Sequence, residues 1–327
     1  YAALVTIADE SGHGFTSLPN NEELLQKKIA HSVNSFTKTT SQPGDEGYLF
    51  VLEDTETGEV VGTSGIEAAV GLDDAFYHYH LSKVIHSSRT LDVYKAVDIL
   101  TLCNDYTGAT ELCTLFLKDG YRKNCNGKLL SKARFMFIKQ HQQRFAQTVI
   151  AEMRGVSDEN GSSPFWQWLE EHFFSMDFPT ADYLTGIGQK VFIAELMPKY
   201  PIYVNLLSKE AQAVIGQVHD NTRPAIQLLK SEGFTFNGYV DIFDAGPTVE
   251  AKVDNIATIR NAQNFSVEIG EMTGDTMILL ANDKLEDFRA TVAPMAFDSR
   301  SNSLVLTQEL ADALHLKSGD FVTATPV

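Results

Sequence analysis

Between residues 118 and 134 stand Lys118, Arg122, Lys123, Lys128, Lys132 and Arg134, opposed by the single acid Asp119. The chain around them is acidic, with a formal net charge of −17 over 327 residues. Such a surface repels nucleic acid and anionic membranes. A basic island within it suggests a small polyanionic ligand, because nothing extends the patch along the chain as a long polyanion requires. At its centre, Arg122-Lys123-Asn124-Cys125-Asn126-Gly127 joins the apolar run Glu111–Leu117 to a helical pattern over residues 127–140. A loop entering a helix N-terminus presents unpaired backbone N–H groups and the positive end of the helix dipole. A pyrophosphate is a ligand that uses both. Cys103, Cys113 and Cys125 are an odd number without metal-ligand spacing. They suit a reducing compartment, argue against a disulfide framework and give no reason to expect a metal.

Those residues need elements to position them. Asn21 is placed to cap a helix carrying Leu24, Leu25, Ile29, Val33 and Phe36 at helical spacing. Tyr48–Leu52 and Val60–Val70 read as strands joined by a turn at 55–58, Phe76–Ile85 as a third strand, and Leu91–Leu102 as helix or strand. Glu111–Leu117 reads as the strand feeding the basic loop, and Thr148–Met153 as the one after its helix. Ser163-Pro164 opens a further helix, Ser as cap and Pro in the first turn. Asn221 to Pro224 opens another, which ends at Gly233-Phe234 before a strand at Tyr239–Phe243. Both passages read as polar cap, short helix, aromatic stop and strand, a weak internal repeat. Past residue 262, short β-rich runs at 266–269, 277–281, 288–292, 304–306 and 321–324 surround one helix at 308–314, as in a small barrel or sandwich. No run approaches ~18 apolar residues, and no basic segment leads into an apolar one at the start. Neither a membrane span nor a secretory leader is expected.

The loop's spacing resembles the acyl-CoA motif of the GNAT N-acyltransferase superfamily, Q/R-x-x-G-x-G/A. Arg122 and Gly127 match its first and last positions, and Cys125 stands where the first Gly is usual. A side chain there tolerates positive φ less readily than Gly. In that superfamily the motif strand splays from the next, and the pantetheine adds to its exposed backbone like another strand. The backbone at Leu115 and Leu117 would offer those groups.

Longer segments resemble the arginine N-succinyltransferase family. They are Thr16-Ser17-Leu18-Pro19, Phe50-Val51-Leu52-Glu53-Asp54, Glu111-Leu112-Cys113-Thr114-Leu115-Phe116-Leu117, Ser163-Pro164-Phe165-Trp166, Ala194-Glu195-Leu196-Met197-Pro198, Pro201-Ile202-Tyr203, Gly216-Gln217-Val218-His219 and Tyr239-Val240-Asp241-Ile242-Phe243-Asp244. They run in order along most of the chain.

The resemblance implies a mixed fold, α+β and α/β, with a GNAT-like acyl-CoA-binding half at 1–182; the repeat and the change of texture past residue 262 add a second, degenerate GNAT-like half at 183–262 and a small C-terminal β-barrel at 263–327. It implies an acyltransferase of arginine catabolism that moves succinyl from succinyl-CoA to the α-amino group of L-arginine. It gives two positions, His219 as proton donor and Leu115 as a succinyl-CoA contact; the strand and loop of the superfamily motif add Leu117, Arg122, Lys123, Cys125 and Gly127 as cofactor-binding candidates. Its members are homo-oligomers or paired related subunits, and a cytoplasmic location fits the absence of a leader.

The reaction asks for more groups. The amine arrives as ammonium and needs a proton acceptor, the oxyanion a backbone N–H, and the leaving thiolate an acid. Glu152, on the strand beside the motif strand, is a candidate for amine or guanidinium. His86 and Arg89 are candidates for a carboxylate, and Thr16 and Ser17 for the acceptor pocket. His78 and His80 read as surface residues. Cys125 at a helix N-terminus could be a covalent nucleophile, but the superfamily transfers directly in a ternary complex. Ornithine as acceptor, and a non-catalytic acyl-CoA-binding module, are the rival readings.

Overall fold

The computed structural model describes residues 1–11, 18, 21–158, 161–186, 188 and 191–327. One large sheet is built from nine strands. They are β1 (Gly47–Asp54), β2 (Glu59–Glu67), β3 (His78–Ser88), β4 (Val93–Cys103), β5 (Thr110–Leu117), β6 (Thr148–Glu152), β7 (Ile202–Tyr203), β8 (Thr235–Val240) and β9 (Pro247–Lys252). Their order across the sheet is β1-β2-β5-β6-β9-β8-β3-β4-β7. Every neighbouring pair is antiparallel except β5 and β6. That one parallel pair requires a crossover, and helix α3 (Asn126–Gln140) supplies it.

Two helices precede the sheet, α1 (Ala2–Ser11) and α2 (Glu22–Thr37). Asn21 caps α2 as its sequence suggests, its Oδ1 accepting the Leu24 N–H at 3.1 Å. Ser32 and Ser35 of α2 accept the backbone N–H groups of Leu49 and Gly47, which ties α2 to β1. α3 crosses the opposite face and is the core's main contributor: Phe135, Phe137 and Ile138 are fully buried against Tyr48, Leu112, Val149 and Val249. Phe36 and Phe50 meet the Phe137 ring edge-on at 5.6 and 5.2 Å, an aromatic geometry that adds to the burial itself.

Leu91–Leu102, readable either way in sequence, is strand β4. Val93, Tyr94, Val97 and Ile99 are β-branched or aromatic types that suit a pleated surface. Partnering β3 in unbroken register from His78↔Cys103 to Ser88↔Val93 decides it.

Three expectations are corrected. Residues 183–262 found no sheet of their own among the described residues: β7, β8 and β9 join the sheet that β1, β2, β5 and β6 begin, with β9 beside β6. The internal repeat also dissolves. Helix α4 (Pro164–Leu169) has Pro164 in its first turn but no cap bond from Ser163. It runs through a wide turn at Glu170–Phe174 into α5 (Phe178–Gly186) and α6 (Val191–Leu196) before reaching the two-residue β7. After α7 (Lys209–Val214), helix α8 (Arg223–Ser231) is N-capped in position by Thr222 and does lead into a strand. That strand ends at Val240, not Phe243, because Asp241 Oδ1 accepts the N–H groups of Phe243 and Asp244 at 2.7 and 2.9 Å and bends the chain.

Following α9 (Ala257–Asn261), residues 263–326 form a separate five-stranded sheet. Its strands are β10 (Gln263–Ile269), β11 (Thr276–Ala281), β12 (Ala290–Met295), β13 (Ser303–Leu306) and β14 (Phe321–Pro326), in the order β12-β11-β14-β10-β13, with α10 (Gln308–Ala313) before the last strand. β12 and β13 are its two edges, so the expected barrel is open. Phe288, read as strand, instead packs on Phe137 at 5.1 Å. Leu279 and Ala281 pack on Met136, so this sheet braces α3 from behind.

Candidate active site

β5 and β6 pair only at Thr110↔Val149 and Glu111↔Ile150 and then part. The edge of β5 facing β6 is therefore unpaired from Leu112 to Leu117. On its other side β5 keeps its ladder with β2, interrupted by a bulge between Thr63 and Gly65. Thr114 takes up that bulge in the left-handed region, φ 54°. The buried Arg134 guanidinium reaches the Cys113 carbonyl at 3.5 Å, beside the bulge. A cavity of about 1250 Å³ fills the gap. Its walls include residues from both faces of the sheet. Leu115 and Leu117 pack with Leu130 of α3. Phe116 packs with α1 and α2 residues on the other face.

On the α3 side the cavity meets the basic loop: Arg122, Lys123, Asn124, Cys125, Asn126, Gly127 and Lys128 all line it. Asn124 and Cys125 both adopt left-handed conformations, φ 50° and 66°, so Cys125 accepts the geometry that Gly would have given freely. No side chain caps the first turn of α3. A Cβ on Gly127 would find its nearest neighbour only at 4.0 Å, leaving an open approach to those N–H groups.

The basic island itself is half consumed. Arg134 is bonded to Ser131, Lys132 pairs with the buried Glu232 at 2.9 Å, and Lys118 pairs with Glu59 at 2.6 Å. Arg122 donates to the Leu117 carbonyl at 3.0 Å and pairs with Asp119 at 2.9 Å, which makes it a strap for the loop. Lys123 and Lys128, like Arg122, are exposed cations at the mouth.

On the other side the walls are acidic: Glu111, Glu152, Asp241 and Asp244. Burial, then the carboxylates of Glu152 and Glu67, pushes Glu111 up to about 8. Asp244 is also raised, by burial and then by Asp241. Its oxygens accept from Gly155 at 2.6 Å and Gly246 at 2.8 Å. Gly246 is required there, since a Cβ would sit 2.1 Å from the Met153 carbonyl oxygen. Glu152 Oε1 lies 2.8 Å from His78 Nε2. His78, read as a surface residue, is fully buried, and burial lowers it to about 4, so the ring is neutral.

His219 is not among the residues that line the cavity, but its neighbours Arg154, Asn221 and Thr222 are. Its N–H donates to the Arg154 carbonyl at 2.9 Å, and its Nδ1 accepts the Asn221 N–H at 3.2 Å. Burial, then the Arg154 charge, lowers its pKa. Both effects disfavour the imidazolium form.

His86 and Arg89 do not reach this place. β3 begins beside the cavity at Tyr77 but runs past the sheet, and nine residues of strand at ~3.3 Å each carry His86 to the far end of the hairpin, beside Tyr203 at 6.0 Å. Thr16 and Ser17 lie outside the described residues. Glu111, Arg154, Asp241 and Asp244 were missed. Glu111 had a visible signal: an acid on the same strand face as Cys113, two repeats of the pleat before the expected cofactor contact Leu115.

The model of the family described as arginine N-succinyltransferase beta subunit matches residues 1–258, and that of its C-terminal domain matches residues 263–326. The chain belongs to the arginine N-succinyltransferase family. An arginine N-succinyltransferase from Salmonella schwarzengrund (strain CVM19633) is 50% identical over 98% of this chain and 93% of its own length. One from Salmonella agona (strain SL483) has the same identity and coverage. The solved structure of arginine/ornithine succinyltransferase subunit AI from Pseudomonas aeruginosa superposes with a TM-score of 0.91 at 35% identity, over 99% of this chain and 95% of that one. The mixed α/β fold described above is thus the fold of a succinyltransferase.

Proposed function

We propose that this acyltransferase moves the succinyl group of succinyl-CoA to the α-amino group of L-arginine by direct attack, with the two substrates meeting in the gap between β5 and β6. The observation that carries this is the cavity's polarity: cations and helix N–H groups on one face of the sheet, carboxylates on the other, with the unpaired edge of β5 between them. A strand–loop–helix of this kind is GNAT-like. The pyrophosphate would sit on the first turn of α3 with Lys123 and Lys128, and the pantetheine would bond the β5 backbone at Leu115 and Leu117. Six steps of strand, roughly 20 Å at ~3.3 Å per residue, separate Leu117 from Glu111, a span suited to an extended pantetheine arm and its acyl group. The backbone N–H groups on that edge can receive the oxyanion. Glu152 and Asp241 suit the guanidinium, and Arg154 suits a carboxylate.

His219 fits a particular form of proton donor. With Nδ1 accepting from Asn221, the neutral ring carries its proton on Nε2, and that N–H can hydrogen-bond the departing sulfur and stabilise its developing charge while the proton of the attacking nitrogen reaches it. The solved relative's name, arginine/ornithine succinyltransferase, favours ornithine as a second acceptor, and its designation as a subunit supports assembly with like or related chains. No helix among the described residues is long and apolar enough to cross a membrane, which is compatible with work in the cytoplasm. The test is thiol release from succinyl-CoA. It should require arginine and fall ~100-fold in His219→Ala, as for loss of a general acid. Release that ignores arginine, or tight succinyl-CoA binding without turnover on any basic amino acid, overturns the reading.

A further inference from the structure

We propose that Glu111 is the base that takes the proton from the substrate's α-ammonium group. This rests on the acyl-transfer reading above and supplies the group that reading lacks. Four carboxylates form the acidic wall, and three are already engaged. Both oxygens of Asp244 accept backbone N–H bonds, Asp241 Oδ1 holds two more, and Glu152 lies against His78. Among the described residues, the Glu111 carboxyl has no hydrogen bond or ion pair. It stands at the last position where β5 is paired on both sides, to Glu67 of β2 and Ile150 of β6. The gap opens at the next residue. By strand alternation its side chain shares a face with Cys113, away from the α3 face that carries Leu112. The amine must therefore approach from that side, while the thioester lies along the edge of β5.

The charged groups facing Glu111 come from every neighbouring element: Glu67 of β2, Glu152 of β6, Lys28 of α2 and His78 of β3, with Cys113 on its own strand. Lys28 is held by Glu67 at 3.1 Å, so it does not neutralise Glu111 directly. Burial and the two carboxylates bring Glu111 to about 8, close to the ~8 of a free α-amine, so the proton passes between groups of matched affinity. The step balances. The ammonium gives one proton to the Glu111 carboxylate, and the free amine forms the C–N bond. As the C–S bond breaks, the second proton of the attacking nitrogen passes to the sulfur, whose developing charge the His219 Nε2–H hydrogen-bonds, so that amide and thiol result. The Glu111 proton leaves to water as product departs.

The experiment compares kcat and KM of the parent, Glu111→Gln and Glu111→Asp from pH 6 to 10, with succinyl-CoA binding measured alongside. The parent's kcat/KM should rise through about pH 8. Glu111→Gln should bind succinyl-CoA normally, lose ~10²–10³-fold in kcat, and rise only at higher pH as free amine accumulates. A Glu111→Gln enzyme with kcat within about threefold of the parent and the same pH limb overturns the proposal, as does an effect confined to the KM for arginine. If Glu111→Gln does not fold, Glu111→Asp decides: reduced kcat with the limb kept supports the base, and unchanged kcat overturns it. A parent without arginine-dependent thiol release fails the underlying reading instead, which separates the two.

Discussion

The two sides of the cavity are built on opposite plans. The α3 side is one contiguous stretch, residues 122–128, whose backbone N–H groups and two exposed lysines face the gap. The opposite side is gathered from β5, β6 and the turn after β8, with carboxylates whose neighbours raise or restrain them. The first plan suits a ligand recognised by charge and helix dipole, where side chains are replaceable because the backbone does much of the work. The second suits a ligand recognised by position, where each carboxylate is fixed by a different element and few substitutes exist. Mutations on the two sides should therefore differ in size and in kind.

The largest of these contrasts is at Glu152. Losing a charged hydrogen-bond partner for a cation costs ~1.5–3 kcal/mol, so Glu152→Ala should raise the KM for arginine by ~10- to 100-fold and leave the KM for succinyl-CoA unchanged. Glu152→Gln should recover part of the loss. Equal changes in both KM values would mean that Glu152 shapes the sheet and not the acceptor pocket. His78 sharpens the point: because burial keeps it neutral, it lies against Glu152 without cancelling its charge.

A smaller effect is expected across the gap. Lys123 and Lys128 are exposed, and exposed charge pairs are worth ~0.2–1 kcal/mol each. The double change Lys123→Ala, Lys128→Ala should raise the KM for succinyl-CoA by about two- to thirtyfold with arginine unaffected. The difference should shrink with added salt, because these charges are screened. A hundredfold loss would break the comparison, since the lysines and not the helix terminus would then hold the phosphates.

The same difference explains what was legible in the sequence. The loop could be read because its parts are adjacent: strand, basic residues and helix follow one another, and local spacing is what a sequence displays. Even so, charge alone overstated it, because Lys132 and Arg134 turn inward to Glu232 and Ser131 and Lys118 is paired with Glu59 on the surface. The acidic wall was only glimpsed at Glu152. Glu111 and Asp241 lie far apart in the chain and line one cavity because β9 inserts beside β6, a topological fact that no local pattern carries. The hairpin misled in the other direction: His86 follows cavity-lining Tyr77 in sequence, but an extended strand carries it away. The apparent repeat failed for a similar reason, since cap, helix and aromatic stop describe local grammar and not which strand comes next.

The smallest effect belongs to the loop's one irregularity. Cys125 holds φ 66° and ψ 5° at the N-cap of α3, and its side chain makes no cap bond. A non-Gly residue in the left-handed region pays ~1–2 kcal/mol in steric strain, which Cys125→Gly would relieve. Glycine also loses more freedom on folding, worth ~0.5–1 kcal/mol in the opposite direction. The two nearly cancel, so Cys125→Gly should be neutral to about 1 kcal/mol more stable in denaturant unfolding. Turnover should stay within about twofold, because the backbone geometry the phosphates meet is the same with either residue. A covalent acyl-cysteine route makes the opposite forecast, complete loss of turnover together with loss of any acyl-enzyme formed from succinyl-CoA alone. One substitution thus measures the strain of the loop and decides whether its thiol reacts.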